Sequence, residues 1–271
     1  MSQKNQILKY FSRSHATHLH ARGEFGTMAL IQQLDCQVGD DILELGCGTG
    51  ATLMTMAALY PKSNFFGVDQ SALMLEKTNG RLKFCGLAKR VFLKQTDAGC
   101  ALPFEDNSFD RIYVESMLAI QQGEALPRIL AEIKRILKPQ GTICFNETIW
   151  APEISLEELK SINAICLSQF GIIQANEVYP YLKDWQQLLQ QLDFEIEASL
   201  AVDGITISSP PKIPFLTAFR SKLFTAIGKL KGRLASGSKV EWKQYEATMN
   251  EIHSEGAKIL EGTIFKAKNI K

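Results

Sequence analysis

Apolar positions along this chain change their period in a regular order. Short runs with little alternation, DILEL (41–45), NFFGVD (64–69), VFLKQTD (91–97), FDRIYVE (109–115) and TICFNET (142–148), are separated by longer stretches of helical period. Runs of that length read as strands buried on both faces, and their alternation with helices predicts a parallel sheet joined by crossovers. ATLMTMAALYP (51–61) predicts the first crossover helix, stopped by Pro61. Ser71 is placed to cap the next, at 71–85. Within 125–141, Ile129, Leu130, Ile133, Ile136 and Leu137 share one helical face, which Pro139 and Gly141 are expected to end. FEIEASLAV (194–202) and GTIFKAKN (262–269) predict two more strands, with helical insertions at 152–192 and 207–260. Residues 1–34 read as two helices joined around His15–Gly26.

The expected fold is therefore α/β, a Rossmann-like three-layer sandwich. Its expected organisation is a helical cover over 1–34, a ligand-binding core over 35–150, and a remainder over 151–271. That remainder completes the sheet and carries the two insertions as a substrate lid. At 271 residues, 45% of them hydrophobic, the chain can build one large domain with room for such a lid.

Charge adds one detail. The net charge is +1, so no overall basic field points to nucleic acid. Residues 203–271 nonetheless hold 12 Lys/Arg against 6 Asp/Glu, while the first 202 hold 18 against 23. The six cysteines are far apart, without a CxxC pair or Cys/His ligand spacing, and read as reduced buried thiols with no metal site. The first residues, MSQKNQILKYFSRS, lack the apolar stretch of a signal peptide. A cytoplasmic protein is expected.

The first strand runs into LELGCGTG (43–50), which puts Gly46, Gly48 and Gly50 between a strand end and a helix start. Glycines there allow positive φ and remove Cβ atoms that would block a ligand, while the helix N-terminus offers N–H groups to an anion. That anion could be a pyrophosphate or an amino-acid carboxylate, because Gly46-x-Gly48-x-x-Ala51 also satisfies the dinucleotide pattern. Three acids narrow the choice. Glu44, just before the loop, suits an ammonium or sulfonium cation and would repel a pyrophosphate. Asp69 ends the second strand, where a carboxylate can bridge two ribose hydroxyls. Asp97 ends the third, where one can accept from an adenine amino group.

These segments, with GVDQS (67–71), QTDAGCALPFEDNSFDRIYVE (95–115) and EIKRILKPQGTICFNE (132–147), resemble successive motifs of the class I S-adenosylmethionine-dependent methyltransferases. The resemblance is to the branch that methylates quinones, sterols, tocopherols and other small metabolites, and it covers about residues 35–150. It implies a seven-stranded, mostly parallel sheet whose last strand is antiparallel and inserted beside the fifth. It also implies S-adenosylmethionine as donor and S-adenosylhomocysteine as product. On that resemblance Glu44, Gly46, Cys47, Gly48 and Gly50 would hold the methionine part. Asp69 would hold the ribose with Gln70 beside it, Asp97 and Ala98 would meet the adenine, and Glu115 backbone atoms would line the sulfonium end.

Methyl transfer needs alignment and exclusion of water more than a dedicated base, although a phenol or carbon acceptor wants a proton acceptor. The candidates are His15, His18 and His20 in HATHLH, against which stands a polar loop before the next helix. Glu147 at the end of the fifth strand is a further candidate; Tyr179 and Tyr181 are expected to line the pocket. The fourth strand ends in ESML, without the Asn/Asp-Pro-Pro-aromatic loop or the Pro-Cys of nucleic-acid methyltransferases, so a small molecule is the expected substrate.

PFLTAFRSKLFTAIGKLKGRL (214–234) places Phe215, Phe219, Leu223, Phe224, Ile227, Leu230 and Leu234 on a stripe, with Arg220, Lys222, Lys229, Lys231 and Arg233 elsewhere. Such a basic amphipathic helix can pack on the core, close over an apolar substrate, or contact an anionic membrane surface. A methyltransferase acting on protein or RNA and a nicotinamide-dependent oxidoreductase are the rival functions. The sequence leaves the oligomeric state open.

Overall fold

The computed structural model describes residues 22–96, 101–207, 212–234 and 259–270. His15, His18 and His20, and Asp97 and Ala98, lie outside the described residues, so the expectations placed on them do too.

In chain order the described elements are α1 (Gly23–Leu34), β1 (Asp41–Leu45), α2 (Ala51–Leu59), β2 (Asn64–Asp69), α3 (Ala72–Cys85), β3 (Val91–Gln95) and β4 (Phe109–Glu115). They continue with α4 (Ala125–Ile136), β5 (Leu137–Trp150), α5 (Leu156–Phe170), α6 (Leu182–Gln191), β6 (Phe194–Ala201), α7 (Phe215–Leu234) and β7 (Leu260–Asn269). The sheet has seven strands in the order β3-β2-β1-β4-β5-β7-β6. β1 to β5 pair in parallel, while β7 runs antiparallel between β5 and β6. The strand order reverses between β1 and β4, and ligands of such sheets bind outside the strand ends at that switch point.

The strands are buried because helices cover both faces. On one side Leu43, Leu45, Ile112 and Val114 meet Leu130 and Ile133 of α4 and Trp185 of α6. On the other, Ile42, Phe65 and Tyr113 meet Leu30 of α1, Leu53 of α2 and Leu82 of α3. Alternation along β1 therefore sends Ile42 and Glu44 toward α1 and α2, and Leu43 and Leu45 toward α4.

Several boundaries differ from the expected ones. The helix predicted to reach Pro139 and Gly141 stops at Ile136, and pairing resumes at Leu137. Phe109 pairs with Leu137 and Arg111 with Thr142, so residues 138–141 bulge opposite Asp110. Gln140 sits at φ 62, and a Cβ at Gly141 would lie 2.8 Å from the Lys138 carbonyl oxygen. Lys138 Nζ ties the bulge to Asp110 at 2.7 Å. The breakers thus make a bulge inside the strand rather than a gap before it. α1 begins at Gly23, inside the region expected to be a joint, and β3 ends at Gln95 rather than Asp97. Tyr181 donates to the Ile154 carbonyl oxygen at 2.6 Å and Tyr179 packs against the α4-side core, so both brace the first insertion.

Candidate functional site: the glycine loop and its clamps

The turn from β1 into α2 is held from several directions. Gly46 and Cys47 donate to the Val68 carbonyl oxygen at 2.9 and 3.0 Å, which seats the loop on the end of β2. Asp69, next in β2, accepts from Gly48 N–H through Oδ2 at 2.9 Å and from Ser71 N–H through Oδ1 at 2.8 Å. One carboxylate therefore joins the glycine loop to the start of α3, which Ser71 caps by accepting from Met74 N–H. Each Asp69 oxygen keeps a lone pair for a ligand hydroxyl. Burial raises the Asp69 pKa, while the two amides pull it down. Gln70, exposed beside it, is fixed through its carbonyl oxygen, which accepts from Gln95 Nε2 at 3.0 Å.

The three glycines have different work. All have positive φ, at 78, 51 and 74°. A Cβ at Gly46 would approach Met117 to 3.1 Å, and one at Gly50 would approach Thr78 to 2.5 Å. These two positions are glycine for the protein's own packing. At Gly48 a Cβ would meet nothing within 4 Å, so this glycine faces open space beside Asp69. α2 starts at N-cap Gly50 without a side-chain cap; Leu53 N–H is taken by Glu44, and the amides before it point to where an anion can bind. The loop thus brings together a carboxylate with unused lone pairs, a Cβ-free backbone facing open space and a helix N-terminus without a side-chain cap.

Glu44 is held from within the protein. It points toward the helices, is 4% exposed, and accepts from the Tyr113 hydroxyl at 3.0 Å and from Leu53 N–H in the first turn of α2. Burial, then the charges of Glu115 and Asp69, raise its pKa well above the ordinary carboxylate range. Its place in the structure is that of a brace under the loop. Cys47 is buried, and burial likewise raises its thiol. Glu115 reaches across to the helices and accepts from Thr27 of α1 at 3.2 Å and Thr52 of α2 at 2.6 Å.

Glu147 is held from within as well. It is fully buried, and its Oε1 accepts from Met117 and Leu118 N–H while Oε2 accepts from Ala119 N–H, all at 3.0 Å. A carboxylate engaged by three amides holds the loop after β4 in place. Burial raises it to about 7 against the pull of those amides.

Two residues that the sequence did not single out complete the loop. Thr78 donates to the Gly48 carbonyl oxygen at 2.6 Å. Arg81, fully buried, donates from Nε to the Thr49 carbonyl oxygen at 2.9 Å and from Nη1 to Ser221 and Thr225 of α7, each at 3.1 Å. Its guanidinium also lies over the Phe224 ring, 5.1 Å from the centroid, and burial lowers its pKa to about 10. Phe224 thus turns inward, away from the stripe on which the sequence placed it. A cavity of about 360 Å³ opens between α2 and α7, with Met54, Thr55, Lys222 and Lys229 on its walls and Glu24 of α1 at its side. Among the described residues no group of His, Cys, Asp and Glu could hold a metal ion.

A reversing parallel sheet, an antiparallel strand inserted beside β5 and a glycine loop clamped by the acid of β2 define a Rossmann-like fold. The methyltransferase domain family matches residues 42–141, which hold the loop, Asp69 and β4. A demethylmenaquinone methyltransferase of Lactobacillus johnsonii (strain CNCM I-12250 / La1 / NCC 533) is 33% identical over 118 residues, 43% of this chain. The match spans 47% of that relative, about half its length. A protein of Galdieria sulphuraria, provisionally assigned as a sarcosine dimethylglycine methyltransferase, shares the fold with TM-score 0.69 at 13% identity, over 99% of this chain and 98% of that one. A geranyl diphosphate C-methyltransferase of Streptomyces coelicolor A3(2), solved with Mg2+, geranyl-S-thiolodiphosphate and S-adenosyl-L-homocysteine, has TM-score 0.60 at 16% identity. That likeness covers 91% of this chain and 76% of the other. Residues 42–141 are thus similar to a methyltransferase domain, and the described chain shares its fold with solved methyltransferases.

Proposed function

We propose that this chain transfers a methyl group to a small, apolar or aromatic metabolite by in-line displacement. The observation that carries the proposal is the Asp69–Gly48 clamp beside open space, within a stretch similar to a methyltransferase domain; a solved neighbour of the same fold holds S-adenosyl-L-homocysteine. The donor supplies an electrophilic methyl group on a sulfonium. The chain's own contribution is positional. Asp69 holds the ribose edge, the Gly48 backbone allows close approach, and Glu147 fixes the 117–119 amides that follow the switch point. Contact of Glu44 with the donor's ammonium stays part of this reading, as does the adenine role of Asp97 and Ala98. The named acceptors of the relatives, a demethylmenaquinone and geranyl diphosphate, are small and carry apolar skeletons, which supports an acceptor of that class here. Cytoplasmic placement belongs to the same reading.

The test is methyl-labelled donor with a panel holding a reduced naphthoquinone, a phenolic polyketide, an isoprenoid, total RNA and a protein extract. The proposal expects label in the organic-soluble small molecules. Label only in acid-precipitable protein or RNA would contradict it and favour a macromolecular substrate docked on the basic segment. Saturable NADH binding without S-adenosylhomocysteine binding would overturn the donor assignment.

A further inference from the structure

An ordinary surface helix buries its apolar face and shows its polar one. α7 does the opposite. The side chains it turns into the protein are Ser221 and Thr225, on Arg81, with Phe224 beneath the guanidinium and Gly228 buried beside them. The side chains it turns outward are apolar: Phe215 is 85% exposed, Leu230 59%, Leu216 56% and Phe219 53%, with Leu223 and Ile227 also exposed. At about 100° per residue these six fall within an arc of roughly 120°, one continuous stripe. Exposed cations flank it on both sides, Lys222 and Lys229 along one edge and Arg220 and Lys231 along the other. No acidic residue occurs between Asp203 and Glu241.

We infer that α7 lies in the interface of an anionic membrane, with its apolar stripe at the headgroup–acyl boundary and its cations at the level of the lipid phosphates. An apolar stripe bordered by cations on both edges is the arrangement that buries hydrocarbon while its lysines and arginines reach back to anionic headgroups. A second copy of the helix would instead set cations against cations. Nucleic acid would engage the cations and leave the aromatic stripe in water. No described helix is long and apolar enough to cross a membrane, so the helix lies on the surface.

The test is flotation of the full chain with vesicles of phosphatidylcholine alone and of phosphatidylcholine with about 30% phosphatidylglycerol at low salt. The partition coefficient is expected to be at least about tenfold higher on the anionic vesicles and to fall with salt. Phe215→Ser/Phe219→Ser changes two exposed side chains, so its melting temperature should stay put while its partition falls at least about tenfold. Lys222→Gln/Lys229→Gln should remove most of the preference for phosphatidylglycerol. The inference is overturned if the chain does not partition to anionic vesicles, or if the double serine variant partitions as well as the parent. It is equally overturned if sedimentation shows a dimer that the serine variant dissolves and no vesicle binding.

Discussion

Arg81 Nε donates to the Thr49 carbonyl oxygen at 2.9 Å, from the middle of α3 to the turn that precedes α2. The same guanidinium holds Ser221 and Thr225, so a single buried cation spans the glycine loop and α7. The planar fork reaches both at once; an ammonium is a single point of attachment.

Arg81→Met should therefore loosen two places together. S-adenosylhomocysteine affinity by calorimetry is expected to fall about tenfold, the scale of losing charge-assisted hydrogen bonds. Amide exchange in α7 should rise in the same variant. Arg81→Lys should restore little of either. Normal α7 protection with weakened ligand binding would mean that the two ends are not coupled through this residue.

The glycines separate packing from ligand approach. Gly50→Ala forces a Cβ to 2.5 Å from Thr78 at φ +74° and should cost about 3 kcal/mol or more of stability. Gly48→Ala meets nothing and should cost only the left-handed backbone penalty, about 1–2 kcal/mol. Its S-adenosylhomocysteine affinity should nevertheless drop, because its new methyl enters the ligand's space. Thermal melts and calorimetry on the two variants check this. Full affinity in Gly48→Ala would show that no ligand comes close there.

Glu147 gives a pH dependence with a definite sign. Its carboxyl, raised by burial to about 7 in the folded state, keeps a proton there that the unfolded chain has already lost. From the ordinary glutamate value of 4.5 up to about 7 the folded state binds more protons, so this group lowers stability as pH rises through that window. The full effect is on the order of 3 kcal/mol. Glu147→Gln should flatten the fall of melting temperature across that window while loosening the 117–119 loop. Parallel curves for parent and variant would show that Glu147 does not titrate there.

Much of the sheet was legible because buried parallel strands leave short apolar runs between helical stretches, and DILEL, NFFGVD and FDRIYVE lie where those runs are. β5 was less so, since Pro139 and Gly141 punctuate a chain that bulges and carries on pairing. The glycine loop and Asp69 were legible as a unit through spacing. The partners of Glu44 were not legible: alternation with Ile42 sends it toward α1 and α2, onto the Tyr113 hydroxyl, which position before the glycines does not show. The orientation of α7 could not be read, because period identifies a stripe but not which side the protein covers. Phe224 shows the cost, grouped with an outward stripe while lying on Arg81. Arg81 itself left no sequence signal, being one basic residue in a helix with several.

The most direct test of the central claim, that Asp69 holds the ribose edge of the donor, is calorimetry on Asp69→Ala with S-adenosylhomocysteine and its 2′-deoxy analogue. The account predicts at least about a tenfold loss of affinity in the variant and, for the parent, a penalty for the missing hydroxyl that the variant no longer shows. Unchanged S-adenosylhomocysteine affinity in Asp69→Ala would contradict it.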